Sequence, residues 1–444
     1  MHDEREPSDP PARLNMALQQ PVTLTSSELT DPKRLRHHLH TNFLAGTSCI
    51  KLGSGTRMVE EYELATRLAH EGTDPFSYHG FVNVPVVRGS TVLAKDAKTL
   101  RDRSQAYTYG TAGTPTTRAL CDLVSHLEGA DGTILTSSGL SAIAIPFLAL
   151  CKPGDHVLIV DSVYAPTRRF AERVLKRLQI EVEYYDPNMN GRIAELMRPN
   201  TTVVFLESPA SNTFEVQDVA ATCEAAHQGG ATTMMDNTYA TALLFPPMQH
   251  GVDVVIHAAT KYPSGHSDVL MGFVSASGRT LDQLKQYNEA SGNCVSPDDA
   301  ALVLRGMRTM QLRLREQGEA ALEVAQWLQQ QTGVLDVLHP ALPEHPTNEL
   351  FQRQFGGSSG IFSFVLDGNA DAADRMLDAM PLFGLGYSWA GFESLAVPVD
   401  LSDRTIMKSP QRGSLIRLQI GLEATNDLKR DLHRGLEAAL HSSA

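Results

Sequence analysis

Cysteine is scarce and scattered. Five residues, Cys49, Cys121, Cys151, Cys223 and Cys294, stand in a chain of 444, odd in number and without a CxxC pair. That argues against a disulfide framework or a zinc site, and no metal site is expected. Free thiols in a reducing cytoplasm are the expectation. Positive charge is short as well: 38 Lys and Arg stand against 51 Asp and Glu, a net −13. A general nucleic-acid binder needs a basic face to neutralise phosphates, so that class is excluded. No apolar run reaches the roughly 18–20 residues that span a bilayer, so no membrane partner is expected. The opening Met1-His2-Asp3-Glu4-Arg5-Glu6 lacks a basic start followed by an apolar core, and its acids do not suit a transit peptide. A cytoplasmic location follows as an expectation.

What is present is a long, ordinary globular composition, 42% hydrophobic and 20% charged. At roughly 100–200 residues per domain, this length allows two to four domains. The first dozen residues are polar and Pro-rich, which favours disorder. A basic patch at 33–40 reads as a solvated arm, or as a site for a metal or an acidic partner. The spacing of Met58, Tyr62, Leu64 and Leu68 predicts an amphipathic helix over 57–70. From 132 to 278, short β-rich runs alternate with helical stretches. The runs are 133–136, 156–160, 181–185, 202–206, 232–235, 252–256 and 270–275, with helices such as 166–178 and 216–228 between them. Near-continuous apolar strands joined by crossover-length helices predict an α/β domain with a mostly parallel sheet. Beyond 300, a long interrupted helix over 298–331, strands at 360–366 and 415–420 and a helix over 427–441 predict a second, smaller α/β domain.

In open α/β sheets, sites lie beyond the C-terminal strand ends. Lys261 sits there, in His257-Ala258-Ala259-Thr260-Lys261-Tyr262. It is either a surface lysine or an amine made nucleophilic by low-dielectric surroundings, able to form a Schiff base. Asp236 ends an apolar strand 25 residues earlier, and either caps a turn or pairs with a protonated pyridine nitrogen. In Thr136-Ser137-Ser138-Gly139-Leu140-Ser141 a strand runs into a helix whose first amides could hold one phosphate. No Lys follows, so this is not a nucleotide P-loop. Tyr164 follows another strand and either packs or stacks on a flat ring. Arg417 lies inside an otherwise apolar strand, where an internal ion pair or a substrate carboxylate would satisfy it. Together these are the parts that a pyridoxal-phosphate enzyme acting on an amino acid needs.

From about Thr66 to the C-terminus the chain resembles the Cys/Met-metabolism family of pyridoxal-phosphate enzymes, and within it the bacterial cystathionine β-lyases. The resemblance rests on Asp74-Pro75-Phe76, Val82-Asn83-Val84-Pro85-Val86, Tyr109-Gly110-Thr111-Ala112-Gly113-Thr114-Pro115-Thr116, Phe205-Leu206-Glu207-Ser208-Pro209, Ala258-Ala259-Thr260-Lys261-Tyr262 with Gly265-His266-Ser267-Asp268, and Tyr387-Ser388-Trp389-Ala390-Gly391-Phe392-Glu393-Ser394-Leu395. It implies an aspartate-aminotransferase-like (fold type I) architecture. A large domain with a mostly parallel seven-stranded sheet would be followed by a smaller C-terminal α/β domain. The chain then divides into an N-terminal extension (1–60, partly disordered), a clasp segment (61–113), a large cofactor-binding domain (114–307) and a small domain (308–444).

The resemblance also implies roles. Lys261 would carry the cofactor and move protons, Asp236 would bond the pyridine nitrogen, and Tyr164 would stack on the ring. Gly139, Leu140 and Thr260 would cradle the phosphate. Ser388 and Arg417, beside Trp389, would bind the substrate carboxylate. Tyr109 would reach into the neighbouring subunit's site, which implies an active dimer and usually a homotetramer. Two departures stand out: Thr111 replaces an arginine that reaches across to the phosphate, and Ala390 replaces the first glycine of a Ser-Trp-Gly-Gly pattern.

The same cofactor serves several reactions. Trp389 stands where the γ-acting relatives usually carry Leu. Their Met-Thr-His stretch after Glu-Ser-Leu is replaced by Val397-Pro398-Val399-Asp400. Both features favour β-elimination from cystathionine, giving homocysteine, pyruvate and ammonia. The alternatives are a cystathionine γ-lyase or γ-synthase, or a broader cysteine-S-conjugate β-lyase. A serine hydrolase is disfavoured, because Gly139-Leu140-Ser141-Ala142-Ile143 lacks the last glycine of a nucleophile elbow. Ser264, His266 and Asp268 are merely close in sequence, which makes no triad.

Overall fold

All five residues of His156-Val157-Leu158-Ile159-Val160 are buried, as a strand covered on both faces requires. This strand is part of a computed structural model that describes residues 62–406 and 412–440. The expected head at 1–60, its basic patch and Cys49 lie outside the described residues, as do residues 57–61 of the first predicted helix. The described part of that helix is Leu64–His70.

All seven predicted strands of the first sheet are present: β1 (Gly132–Thr136), β2 (His156–Val160), β3 (Glu181–Tyr185), β4 (Thr201–Glu207), β5 (Thr232–Asp236), β6 (Val254–Ala258) and β7 (Gly272–Ala276). Their order is β1-β7-β6-β5-β4-β2-β3. Only β7 runs against its neighbours β6 and β1. The C-terminal ends of β1, β2, β4, β5 and β6 therefore share one edge. Alternate residues enter different cores: Ile134 and Val274 join one buried cluster, Leu135 and Phe273 the other. That alternation is what a sheet covered on both faces needs. The helix Gly139–Leu150 packs on β6 and β7, while Pro115–Glu128 packs on β1.

The second sheet has the order β10-β11-β12-β9-β8, from β8 (Val334–Leu338), β9 (Ile361–Leu366), β10 (Gly384–Leu385), β11 (Leu395–Pro398) and β12 (Ser414–Gln419). Sequence reading found β9 and β12, whose runs are mostly apolar. It missed β8, where Asp336 sits at a register shift, and β10 and β11, which span two and four residues. The long helix divides into Pro297–Met307 and Met310–Leu328. The terminal helix Thr425–Leu440 packs on the helix Ala370–Asp378. Among the described residues no helix is long and apolar enough to cross a membrane.

Candidate active site

Two turns and two strand ends place the reactive groups. Lys261 follows β6, in a turn whose first hydrogen bond runs from its own amide to the Ala258 carbonyl (3.0 Å). Its Nζ donates to Ser388 Oγ at 2.8 Å and lies 5.2 Å from the centroid of the Trp389 ring. Burial, and then the nearby Arg417 guanidinium, push the amine down to about 8, against the pull of Asp236. This is no ordinary surface lysine. A substantial fraction is neutral near physiological pH, which a nucleophile or base requires.

Asp236 is buried at the end of β5. Its Oδ1 accepts both the Thr238 amide (2.9 Å) and the Thr238 hydroxyl (2.5 Å). The same hydroxyl accepts the Ala258 amide at 2.8 Å, so Thr238 ties the carboxylate to the end of β6. No described residue donates a hydrogen bond to Oδ2. Burial raises the pKa of Asp236, while the Thr238 bonds, His257 and Lys261 draw it back. Glu207 is its register partner on β4. Burial and the Asp236 charge drive Glu207 well above the usual carboxylate range, against the Tyr164 amide that donates to it at 2.8 Å. Of two adjacent carboxylates, the neutral form thus falls first to Glu207 and the charge to Asp236.

Tyr164 lies four residues beyond β2, with 44% of its surface exposed. Burial, Asp236 and Glu207 raise its phenol. The turn is held from below by Asp161, which accepts from Arg168 Nη2 (2.6 Å), the Thr405 hydroxyl (2.7 Å) and the Ile406 amide (2.9 Å). Sequence reading missed this support, because residues 161 and 405 are brought together only by the fold.

The second sheet supplies Arg417 from β12. Its Nη2 donates to the carbonyls of Tyr387 (2.7 Å) and Ser388 (3.4 Å). It has no ion pair among the described residues. Burial lowers it to about 10, against Tyr164 and Tyr387. A guanidinium with only carbonyl partners is fit to receive a carboxylate. Trp389 meets Tyr262 edge-on, with ring centroids 5.8 Å apart.

The glycine that starts the helix Gly139–Leu150 is dictated by crowding: a Cβ there would stand 2.6 Å from that of Ala258. Ser138 Oγ occupies the Ser141 amide (3.1 Å). That leaves the first amides, those of Gly139 and Leu140, for an anion. Thr260 is less free, since its hydroxyl donates to the Met271 carbonyl (3.3 Å) and accepts the Met271 amide (3.1 Å). Tyr109 is the one predicted residue that this chain does not bring to the others. It is 53% exposed, and its hydroxyl has no hydrogen-bond partner among the described residues.

The amine, the half-free buried carboxylate, the exposed ring and the helix start fit pyridoxal phosphate, piece by piece. Glu207 is the residue that sequence reading quoted without giving it a role. Its signal was available, since it and Asp236 are the last residues of adjacent apolar runs.

Comparison with known proteins agrees. A relative from Rhizobium johnstonii carries the provisional name cystathionine beta-lyase. It is 54% identical over 387 residues, which cover 86% of this chain and 98% of the relative. The cystathionine beta-lyase of Haemophilus influenzae is 39% identical over 394 residues, covering 86% and 99%. A crystal structure of cystathionine gamma synthase from Xanthomonas oryzae pv. oryzae, in complex with aminoacrylate and cysteine, superposes with a TM-score of 0.79. It is 32% identical, over 84% of this chain and 98% of that one. Residues 65–437 match the model of one family, and the chain belongs to it: the Cys/Met metabolism PLP-dependent enzymes.

Proposed function

We propose that this enzyme is a carbon–sulfur lyase that eliminates the β-substituent of L-cystathionine. One cystathionine and one water give homocysteine, pyruvate and ammonia. The observation that carries the reading is the Lys261 amine, held at 2.8 Å by Ser388 and walled by Trp389. It stands beside Arg417, which has no carboxylate partner among the described residues.

Pyridoxal phosphate, when bound, supplies an electron sink that makes the substrate α-proton acidic. The chain's residues do the rest. Arg417 binds the α-carboxylate and fixes which bond faces Lys261. The neutral Nζ takes the α-proton, then returns a proton to the departing sulfur. Ser388 steers that amine between the two positions. Asp236 would hold the ring nitrogen protonated, Tyr164 would stack on the ring, and Gly139 and Leu140 would hold the phosphate, joined by Thr260 only where its hydroxyl turns away from Met271. Trp389 confines the amine to the α and β positions, which favours β- over γ-elimination.

We assign residues 61–113 to a clasp, 114–307 to the cofactor-binding domain and 308–444 to the small domain. The clasp exposes Phe76, Phe81, Val82 and Leu93. A second copy would cover them and receive Tyr109, so the working unit is a dimer, paired into a homotetramer. The free thiols Cys121, Cys151, Cys223 and Cys294 suit the cytoplasm.

Cystathionine turnover with identification of the keto acid tests the reading. Pyruvate supports β-elimination, 2-oxobutyrate replaces it with γ-elimination, and neither product removes cystathionine as the substrate.

A further inference from the structure

Beneath the site lies a charge pair that the chemistry above leaves unused. His257, on β6, and Glu128, the last residue of the helix Pro115–Glu128, are both buried, and His257 Nε2 lies 2.6 Å from Glu128 Oε1. The second oxygen of Glu128 is buried and has no hydrogen-bond partner among the described residues. Burial opposes charge on His257, but Glu128, the bond to it, Asp236 and the Asn237 carbonyl together raise its pKa. Ile256, the residue before His257, is the register partner of Asp236 across β5 and β6. The charged groups around Asp236 are thus Glu207 from β4, Lys261 after β6, and His257, with Glu128 behind it.

A buried carboxylate next to a second carboxylate is driven toward neutrality. One unit of such drift is a tenfold change in the ratio of ionised to neutral carboxylate. A cation behind Asp236 opposes it. Charges then alternate through the molecule: Glu128 negative, His257 positive, Asp236 negative.

We propose that Glu128 and His257 form one positioning unit for Asp236, a fixed positive charge that keeps this carboxylate ionised toward the cofactor ring. The proposal rests on Asp236 reading the ring nitrogen, as set out above. Glu128 acts through His257, and His257 through Asp236; neither touches the reacting atoms.

The test compares the binding of pyridoxal phosphate with that of its 1-deaza analogue, in which C–H replaces the ring nitrogen. Absorbance titration of the full-length apoprotein measures both. The wild-type protein should prefer pyridoxal phosphate; if it shows no preference, it is the Asp236 reading that fails. His257→Gln keeps a donor toward Glu128 and removes the charge. It should weaken pyridoxal phosphate binding about tenfold and leave the analogue unchanged. Equal loss for both ligands would make the pair a purely structural brace and overturn the proposal. A wild-type preference that survives unchanged in His257→Gln would overturn it too. Should His257→Gln fail to fold, Glu128→Gln strips His257 of its counter-ion and should show the same selective loss.

Discussion

The edge of the large sheet and the 387–417 region of the small sheet face the same site, yet they are built differently. At the sheet edge, Asp236, Glu207 and Thr238 are buried and tied to one another through adjacent strands. In the small sheet, Ser388 is exposed and Arg417 partly so, and Arg417 leans on carbonyls alone. The first region can hold a permanent guest because its groups are fixed before the guest arrives. The second leaves its donors open, as recognition of a transient carboxylate requires. On the proposed reading, the chemistry is thus divided between a rigid cofactor seat and an adaptable substrate reader.

Substitutions should separate the two. Lys261→Ala belongs to the seat and carries the largest effect. Turnover should fall by at least about a thousandfold, since one side chain is both covalent anchor and base. The visible cofactor band should be lost with it. Retained activity would show that a different lysine does the work. Arg417→Ala belongs to the reader. It should raise KM about ten- to hundredfold, the worth of a charge-assisted carboxylate contact, and leave the visible band in place. A variant that loses the band instead would merge the two regions into one.

The same division decides what could be read from sequence. Lys261 and Asp236 were legible because one follows an apolar run and the other ends one, and strand ends in an α/β sheet point to one edge. Gly139 was legible as a helix start. Of the reader, only Arg417 was legible by pattern, as a cation inside an apolar strand. Ser388 and Trp389 lie in a loop with no period, and only resemblance singled them out. The pairing of Lys261 with Ser388 spans 127 positions, and that of Asp161 with Thr405 spans 244. No local propensity records such contacts. Glu128 and His257, 129 apart, read as a helix end and a strand interior until the fold joined them.

A pH experiment probes the contact between seat and reader. The Lys261 amine must be neutral to take up pyridoxal phosphate, and its pKa is held down to about 8 by burial and by Arg417. Uptake by the apoprotein should therefore rise with pH through about 8 and level off above it. Arg417→Met removes a cation that disfavours the ammonium form, so the amine should become harder to deprotonate. The midpoint should move upward, by less than the whole depression, because burial remains. Cofactor titrations are common to both proteins, so the difference isolates the lysine. An unmoved midpoint would mean that reader and seat do not communicate electrostatically.

The smallest effect belongs to Ala390, and it bears on how forgiving the reader is. Its φ is +65°, in the left-handed region, and its methyl is fully buried against the cluster that holds Tyr262 and Trp389. A non-glycine residue there costs roughly 1–2 kcal/mol. Ala390→Gly relieves that cost but removes a buried methyl worth about 0.8 kcal/mol. It also gives the unfolded chain about 0.4–1 kcal/mol of added freedom. The terms nearly cancel, so stability should change by less than about 1 kcal/mol, read as the urea midpoint at constant slope. A loss above about 2 kcal/mol would mean that the methyl wedges Trp389 in place, making the reader as rigid as the seat. A near-neutral result with altered preference among thioether substrates would instead place the methyl's role in selection, since it stands one residue from Trp389 and two from the Ser388 hydroxyl that accepts from the Lys261 amine.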